Sequence, residues 1–314
     1  MDAILKPLVR EKSPAPVSGW PDIIVSKEKL HQESREHHRR SMQPSIKVLT
    51  YHRIADDHVR LKEYLWTVTR TQFRYQMVLL NKWGYTCINF KDFFLYCRGK
   101  IRLPKKPIII TFDDGYLGVY RHALPVMKEL GGTATAFVLG NRSIESNHWD
   151  EPTGFRAAPL MSDDNVLELQ ECGFEIGSHS MSHSDLTRLT RVQARDEICR
   201  SKDELENLTG NPVITFAYPF GASNRELEKM VREAGYRFGC GVYSGPPKFG
   251  QNFYDIRRIS ITRRTNLLEF AFKVLTPFEY YQWLWWEAGQ WLGVRKENVL
   301  RHSGARTERT TAAV

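Results

Sequence analysis

The sequence is poor in cysteine, and none of its cysteines form a C-x-x-C pair. The five that it has, an odd number in 314 residues, are Cys87, Cys97, Cys172, Cys199 and Cys240. This spacing excludes a zinc cage built from paired thiolates, and it does not suit a disulfide framework. The pattern predicts free thiols in a reducing compartment.

Long apolar runs are also missing, because no stretch reaches the roughly 18 apolar residues that a membrane-spanning helix needs. No signal peptide is apparent at Met1 or at Met42. These features predict a cytoplasmic protein, with peripheral attachment to the inner face of the membrane left open. The attachment would use the helix predicted over 278–292, whose Trp and Tyr side chains suit a lipid interface. The alternative is that this helix packs on the domain or on a second copy.

The chain carries a formal charge of +9 but no nucleic-acid-binding signature. Zinc-finger, RNA-recognition and helix-turn-helix patterns are all missing. Much of the excess charge lies near the two ends and at scattered arginines. The sequence therefore predicts no nucleic-acid partner, and the charge is typical of a solvated basic face.

Composition divides the chain into four parts. Residues 1–45 are polar and basic without periodicity, which predicts a disordered arm, and 295–314 form a second disordered tail. Residues 46–265 alternate short β-branched runs with helical patterns, and 266–294 form an amphipathic, tryptophan-rich helical segment. Seven or eight strand–helix units of this kind predict an α/β fold with a closed or nearly closed parallel barrel.

Two adjacent carboxylates follow one of the predicted buried strands. The run IIITF ends at Phe112, and Asp113, Asp114 and Gly115 come directly after it. In a parallel sheet this is the carboxyl end of a strand, where such folds bind their ligands. Turn chemistry is the alternative, since Asp tolerates turns and caps helices.

Two histidines follow the predicted strand FEIGS. His179 and His183 are four residues apart, so both imidazoles can face one metal ion. Both this pair and the carboxylates follow the carboxyl ends of strands in one predicted parallel sheet. They are therefore expected to lie at the same edge of that sheet. With Asp114, His179 and His183 as ligands, the metal keeps open positions for water and substrate, and Asp113 can act as general base.

A third strand end is the segment FAYPFG. It places Tyr218 and Phe220 where their rings can stack on a sugar, although the same pattern suits a plain strand–helix turn.

Together these residues resemble the polysaccharide deacetylase family, which shares the NodB homology domain. TFDDG at 111–115 and HSMSH at 179–183 match the first two family motifs, within a resemblance that covers 46–261. The resemblance implies a distorted (β/α)7-8 barrel, Asp113 as catalytic base, and Asp114, His179 and His183 as metal ligands. The metal would be one divalent ion, zinc first, with cobalt, nickel or iron as alternatives.

Two further segments are similar to the bacterial branch that acts on exopolysaccharides or poly-N-acetylglucosamine. KVLTYHRI implies that Tyr51 and His52 lie near the site. FAYPFG implies that the turn binds substrate or the oxyanion, the latter through the backbone N–H of Phe220. The predicted substrate or oxyanion residues are Tyr51 and, from this turn, Tyr218, Pro219, Phe220 and Gly221.

The sequence departs from the family pattern in two places. Ala217 stands where the family's third motif has an arginine, so the base needs Arg257 or Arg258 as its partner instead. The late histidine that serves the family as general acid is also missing, since the only histidine after Phe220 is His302 in the predicted tail. His52 is the candidate replacement acid.

The expected function is metal-dependent hydrolysis of the N-acetyl group from a sugar in an oligo- or polysaccharide. One alternative is a glycan-binding pseudo-enzyme, suggested by the two departures. Another is a non-haem iron oxygenase, which shares the pattern of two histidines and one carboxylate but not the second acid or a parallel sheet.

Overall fold

The fold is known from a computed structural model of the chain. It describes residues 46–58, 64–153 and 157–291. The predicted arm 1–45 and tail 295–314 lie outside the described residues and stay predictions.

The strands are short and follow the predicted apolar runs. In chain order they are β1 (Lys47–Tyr51), β2 (Arg53–Ala55), β3 (Thr67–Thr69), β4 (Thr86–Ile88), β5 (Pro107–Phe112), β6 (Thr135–Val138), β7 (Glu175–Ser178), β8 (Thr215–Ala217), β9 (Phe238–Cys240) and β10 (Ile259–Ser260).

Eight of these strands form one sheet in the order β10-β1-β5-β6-β7-β8-β9, with β4 also paired to β5. Every pairing described between them is parallel. β4 pairs with the first half of β5 and β6 with its second half, while β2 and β3 form a small sheet of their own. The large sheet curls into a half-barrel with helices outside, which confirms the predicted α/β barrel.

The α-helices alternate with the strands. In chain order they are α1 (Arg70–Lys82), α2 (Phe90–Cys97), α3 (Leu124–Glu129), α4 (Asp163–Glu171), α5 (Arg191–Thr209), α6 (Arg225–Glu233), α7 (Leu267–Leu275) and α8 (Phe278–Trp291). Their starts follow the sequence: Asn89, Ser162 and Thr190 each accept a backbone N–H of the first turn.

One predicted helix is interrupted. The helical spacing after Gly115 predicts a continuous helix, but the chain forms a π-helical turn over Val119–Ala123 before α3 begins. Pro125 has no N–H to donate to the carbonyl of Arg121, so the regular pattern of hydrogen bonds cannot pass through this point.

The core lies on both faces of the sheet. All six residues of β5 are buried, as expected for a parallel strand covered on both sides. The curled sheet brings the carboxyl ends of its central strands to one rim, here called the mouth. The residues directly after β1, β5 and β7 are His52, Asp113 and His179.

The predicted tryptophan-rich segment forms α7 and α8. Leu268 and Trp285 are 84% and 81% exposed on these helices, while Trp286 stacks on Tyr243. Across the described residues, no helix has the length and apolar character needed to cross a membrane. The predicted lipid contact of this segment stays a prediction.

Candidate active site

Asp113 and Asp114 lie at the mouth and are both nearly inaccessible, at 2% and 3% exposure. The N–H of Asp113 donates to the carbonyl of Tyr51, which fixes the loop to the end of β1. Asp114 has a φ of 70°, a left-handed conformation that is uncommon for a residue other than glycine. Such strain typically persists where the surrounding structure enforces it, and it often marks a functional site.

The two histidines are held by different means. His179 follows β7, and its Nδ1 lies 2.8 Å from the carbonyl oxygen of Ala217. His183 ends a tight loop in which it has a φ of 61°, and its N–H donates to Ser180 Oγ. Glu197 on α5 fastens this loop, because it accepts the N–H groups of Met181 and Ser182 at 3.0 Å each.

Asp114, His179 and His183 converge as the sequence predicts. Oδ1 of Asp114 lies 3.1 Å from Nε2 of His179 and 3.2 Å from Nε2 of His183. All three side chains are buried, and one donor atom from each lies within 4.8 Å of the others. Burial alone would raise the pKa of Asp114, but the two histidines lower it well below its usual value. The group can hold a metal ion.

Asp113 has an arginine partner that lies 145 residues further along the chain. Arg258 is fully buried and donates from Nη1 to Oδ1 of Asp113 at 2.6 Å and from Nη2 to Oδ2 at 2.8 Å. Its Nε donates to the carbonyl of Gly241, so the guanidinium is held at both ends. Burial raises the pKa of Asp113, but Arg258, His179 and His52 together outweigh burial, and the net pKa is lowered. The carboxylate is therefore kept ionised.

The sequence leaves Arg257 and Arg258 as possible partners of Asp113, and in the structure the partner is Arg258. Neighbouring residues of an extended chain point in opposite directions, so Arg257 turns away from Asp113 and donates from Nε to the carbonyl of Gly245. Arg258 therefore occupies the position of base partner that Ala217 cannot fill.

His52 lies at the mouth beside the base. Its Nε2 is 4.0 Å from Oδ2 of Asp113, and its side chain is 16% exposed. Its ring packs against that of Trp66 at a tilt of 35°, with ring centroids 4.8 Å apart. His52 therefore lies close to the carboxylate of Asp113.

The FAYPFG turn contributes one side chain to the mouth. Phe220 is 40% exposed, and its ring lies 4.7 Å from that of His183 in an edge-on arrangement. Its φ of 58° is left-handed, and the Gly221 that follows also has a positive φ of 64°. Pro219 is buried beneath the turn. The turn thus places the Phe220 ring beside a predicted metal ligand.

Tyr51 and Tyr218 are not where the sequence predicts them. Tyr51 is fully buried under α1, where its hydroxyl donates to Gln76. Tyr218 is also fully buried, and its hydroxyl donates to the carbonyl of Tyr254. Strand alternation turns both rings into the core, so the prediction that their side chains contact substrate is wrong.

Sequence reasoning missed three aromatic residues around the mouth. Trp66 packs at a tilt against His52, Trp149 stacks on His183, and the Tyr64 hydroxyl donates a hydrogen bond to Asp150 beside them. Trp149 lies in a stretch that reads as a polar loop, and nothing in its local pattern distinguishes it from an ordinary surface tryptophan. Only the folded chain brings these rings together.

Comparison with known proteins gives a consistent result. A family model described as polysaccharide deacetylase matches residues 100–239. The Bacillus subtilis (strain 168) protein YxkH, provisionally named a polysaccharide deacetylase, is 28% identical over 217 residues, covering 69% of this chain and 71% of that protein. A poly-beta-1,6-N-acetyl-D-glucosamine N-deacetylase of Staphylococcus aureus (strain MRSA252) is 26% identical over 211 residues, or 64% of this chain and 69% of the relative.

A solved structure shares the fold as well. The crystal structure of a polysaccharide deacetylase from Bacillus cereus has a TM-score of 0.59 and 28% identity, covering 72% of this chain and 67% of that one. The family-model match includes both the carboxylate pair and the histidine pair of the mouth. Over residues 100–239 the chain therefore matches the polysaccharide deacetylase family, whose enzymes hydrolyse a carbon–nitrogen amide bond.

Proposed function

We propose that this protein is a metal-dependent deacetylase that removes the N-acetyl group from a sugar within an oligo- or polysaccharide. The observation that carries the proposal is the buried group of Asp114, His179 and His183 beside Asp113, a carboxylate held by Arg258. One acid is thus placed among metal donors and the other is kept free of them.

The donor set fits a divalent metal. Oδ1 of Asp114 is buried and, despite the short distances to both histidines, has no hydrogen bond of suitable geometry. Two imidazole nitrogens and one carboxylate oxygen suit zinc first, with cobalt, nickel or iron as alternatives. When bound, the ion would act as a Lewis acid toward the acyl oxygen and would make water more acidic.

Asp113 is proposed as the general base. It takes a proton from the water that adds to the amide carbonyl, and the two-point contact with Arg258 fixes the direction of its oxygens. The backbone N–H of Phe220 is proposed to stabilise the negative charge that develops on the carbonyl oxygen, because the turn presents it at the mouth.

His52 is proposed as the general acid. As the carbon–nitrogen bond breaks, His52 in its protonated form donates a proton to the leaving nitrogen, so that the products are acetate and a free amine on the sugar. Its place 4.0 Å from Asp113 supports this role, as does the position of Trp66 behind its ring.

The aromatic side chains around the mouth support a sugar substrate. The half-buried Trp66 and Trp149 and the exposed Phe220 offer apolar ring faces, on which sugar rings can pack. Because a Staphylococcus aureus relative is named for poly-beta-1,6-N-acetyl-D-glucosamine, that polymer is the first candidate.

The two alternative functions lose their support. The pseudo-enzyme rests on the missing arginine and the missing late histidine; Arg258 fills the first place, and His52 is proposed for the second. The oxygenase normally requires a double-stranded antiparallel roll, whereas the site here lies on a parallel half-barrel.

The test is acetate release from a panel of β-1,6- and β-1,4-linked N-acetylglucosamine oligomers. Metal-stripped protein is assayed with and without added zinc or cobalt. The proposal predicts release that depends on the metal and on oligomer length. Absence of release from every oligomer, with metal bound, would contradict it.

A further inference from the structure

The two metal-site histidines differ in what holds their rings. His179 has a hydrogen-bond partner for Nδ1, the carbonyl oxygen of Ala217 at 2.8 Å. Nδ1 of His183 is buried and has no hydrogen-bond partner among the described residues. A histidine that binds a metal through Nε2 is usually oriented by a partner on its other nitrogen, so something else must orient His183.

The ring of His183 is instead confined by two aromatic side chains. The Trp149 ring lies nearly parallel to it, with centroids 4.2 Å apart and an interplanar angle of 18°. Phe220 meets it edge-on at 4.7 Å. Rotation of the imidazole about its Cβ–Cγ bond would push it into one of these rings, so the contacts restrict that rotation.

The position of Trp149 is itself fixed by the residue that follows it. Asp150 is buried, and its Oδ2 accepts hydrogen bonds from Asn147 Nδ2 at 2.7 Å and from the Tyr64 hydroxyl at 3.0 Å. The hydroxyl of Tyr116 lies 3.4 Å from the same oxygen. Tyr116 follows the Asp113–Gly115 turn directly, so the segment that carries Trp149 is tied to the loop of the carboxylates.

From this geometry we propose that Trp149 is a positioning residue for His183. Its indole face holds the imidazole with Nε2 directed at Asp114, in place of the hydrogen bond that His179 has. This inference rests on the proposed metal site, and it gives Trp149 no part in the chemical steps. This role concerns the metal ligand and is separate from the sugar contact proposed above for the same ring.

The experiment measures the affinity of the metal-stripped protein for Co²⁺ and Zn²⁺ alone, by competition with a chelator. Trp149→Ala is expected to bind both ions about 10- to 100-fold more weakly than the natural protein. The visible absorption spectrum of the cobalt-bound variant should also change, because the ligand field depends on the orientation of His183. Trp149→Phe retains a ring and should recover most of the affinity.

Trp66→Ala is the matched control. It removes a tryptophan from the same mouth, but one whose ring contacts His52 and not a metal ligand. Its metal affinity should equal that of the natural protein. Circular dichroism and thermal unfolding confirm that each variant is folded, and Trp149→Leu keeps the apolar volume if the alanine variant does not fold.

The outcomes separate this inference from the proposed function. Unchanged affinity and an unchanged cobalt spectrum in folded Trp149→Ala or Trp149→Leu would overturn the role of Trp149 while leaving the metal site intact. If the natural protein binds neither ion, the proposed metal site fails and the inference fails with it.

Discussion

The site contains two pairs of adjacent, chemically alike residues, and the two members of each pair have different partners. Asp113 bonds to an arginine while Asp114 faces two histidines. Arg258 points into the half-barrel while Arg257 points away from it. Extended chain separates the two arginines, and the left-handed backbone of Asp114 separates the two acids, so each pair of like residues carries two distinct roles.

The arginine pair allows a matched test. Arg258→Lys keeps the charge but loses the two-point contact with Asp113, so the base is misdirected and kcat/KM should fall about 100-fold. Arg257→Lys, one residue away, should remain near the natural protein. Steady-state kinetics measures both, and the loss should lie mainly in kcat. Equal activity of the two variants would contradict the role of Arg258.

The proposed acid is tested separately. His52→Gln removes the proton donor, and the rate of acetate release should fall by about 100- to 10,000-fold. Metal affinity should be unchanged, since His52 is not among the three converging donors. If kcat stays at its natural value, another group protonates the leaving nitrogen.

Which site residues the sequence predicts depends on how far apart they lie along the chain. The carboxylate and histidine pairs are local patterns at strand ends, so spacing alone brings them to one mouth. Arg258 is 145 residues from Asp113, and the sequence leaves it equivalent to Arg257. Trp149 lies in a loop whose path no local pattern specifies. Long-range contacts of this kind require the fold.

At the scale of elements, the loop that carries the acids is packed tightly against β2. Gly118 precedes the π-helical turn, and a Cβ atom there would lie 1.9 Å from the carbonyl oxygen of Ile54. Its φ is −61°, so close approach and not backbone conformation requires glycine.

Gly118→Ala should therefore lower the free energy of unfolding by at least about 3 kcal/mol, because backbone atoms must move apart. The control is Gly99→Ala, at a φ of 67° with no atom within 4 Å of the added Cβ. It should cost only about 1 kcal/mol, from backbone strain. Urea denaturation of both variants gives the comparison, and equal losses would show that the contact with β2 can relax.

At the scale of the whole molecule, a buried acid makes stability depend on pH. Glu175 begins β7, at the opposite end of the strand from His179, and accepts hydrogen bonds from Lys91 N–H, Thr135 Oγ1 and Thr215 Oγ1. Burial raises the pKa of Glu175 from 4.5 to about 7, despite these bonds. The folded state thus holds a proton that the unfolded state releases near pH 4.5.

A folded pKa above the unfolded one gives a contribution that is complete below about pH 4.5 and lost as pH rises through about 7. Glu175→Gln cannot ionise, so its stability relative to the natural protein should increase between pH 5 and pH 8.5. The change should be on the order of 3 kcal/mol. Urea denaturation at both values measures it, and a difference that does not vary with pH would mean that Glu175 has an ordinary pKa.

The architecture was predictable because its signal is repeated. Each of several short β-branched runs, covered on both faces, requires the same parallel arrangement, and β5 shows it most clearly. No repeated pattern of this kind predicts where the α7–α8 segment lies or which of its faces is exposed. Its contact with lipid, and the compartment of the protein, stay predictions, and cell fractionation tests both.

The most direct test of the central claim compares the two adjacent acids. Asp113→Asn and Asp114→Asn are each assayed for bound zinc and for acetate release from the preferred N-acetylglucosamine oligomer. The account predicts that Asp113→Asn binds zinc but releases almost no acetate, whereas Asp114→Asn loses both. Full acetate release by Asp113→Asn, or undiminished zinc binding by Asp114→Asn, would contradict it.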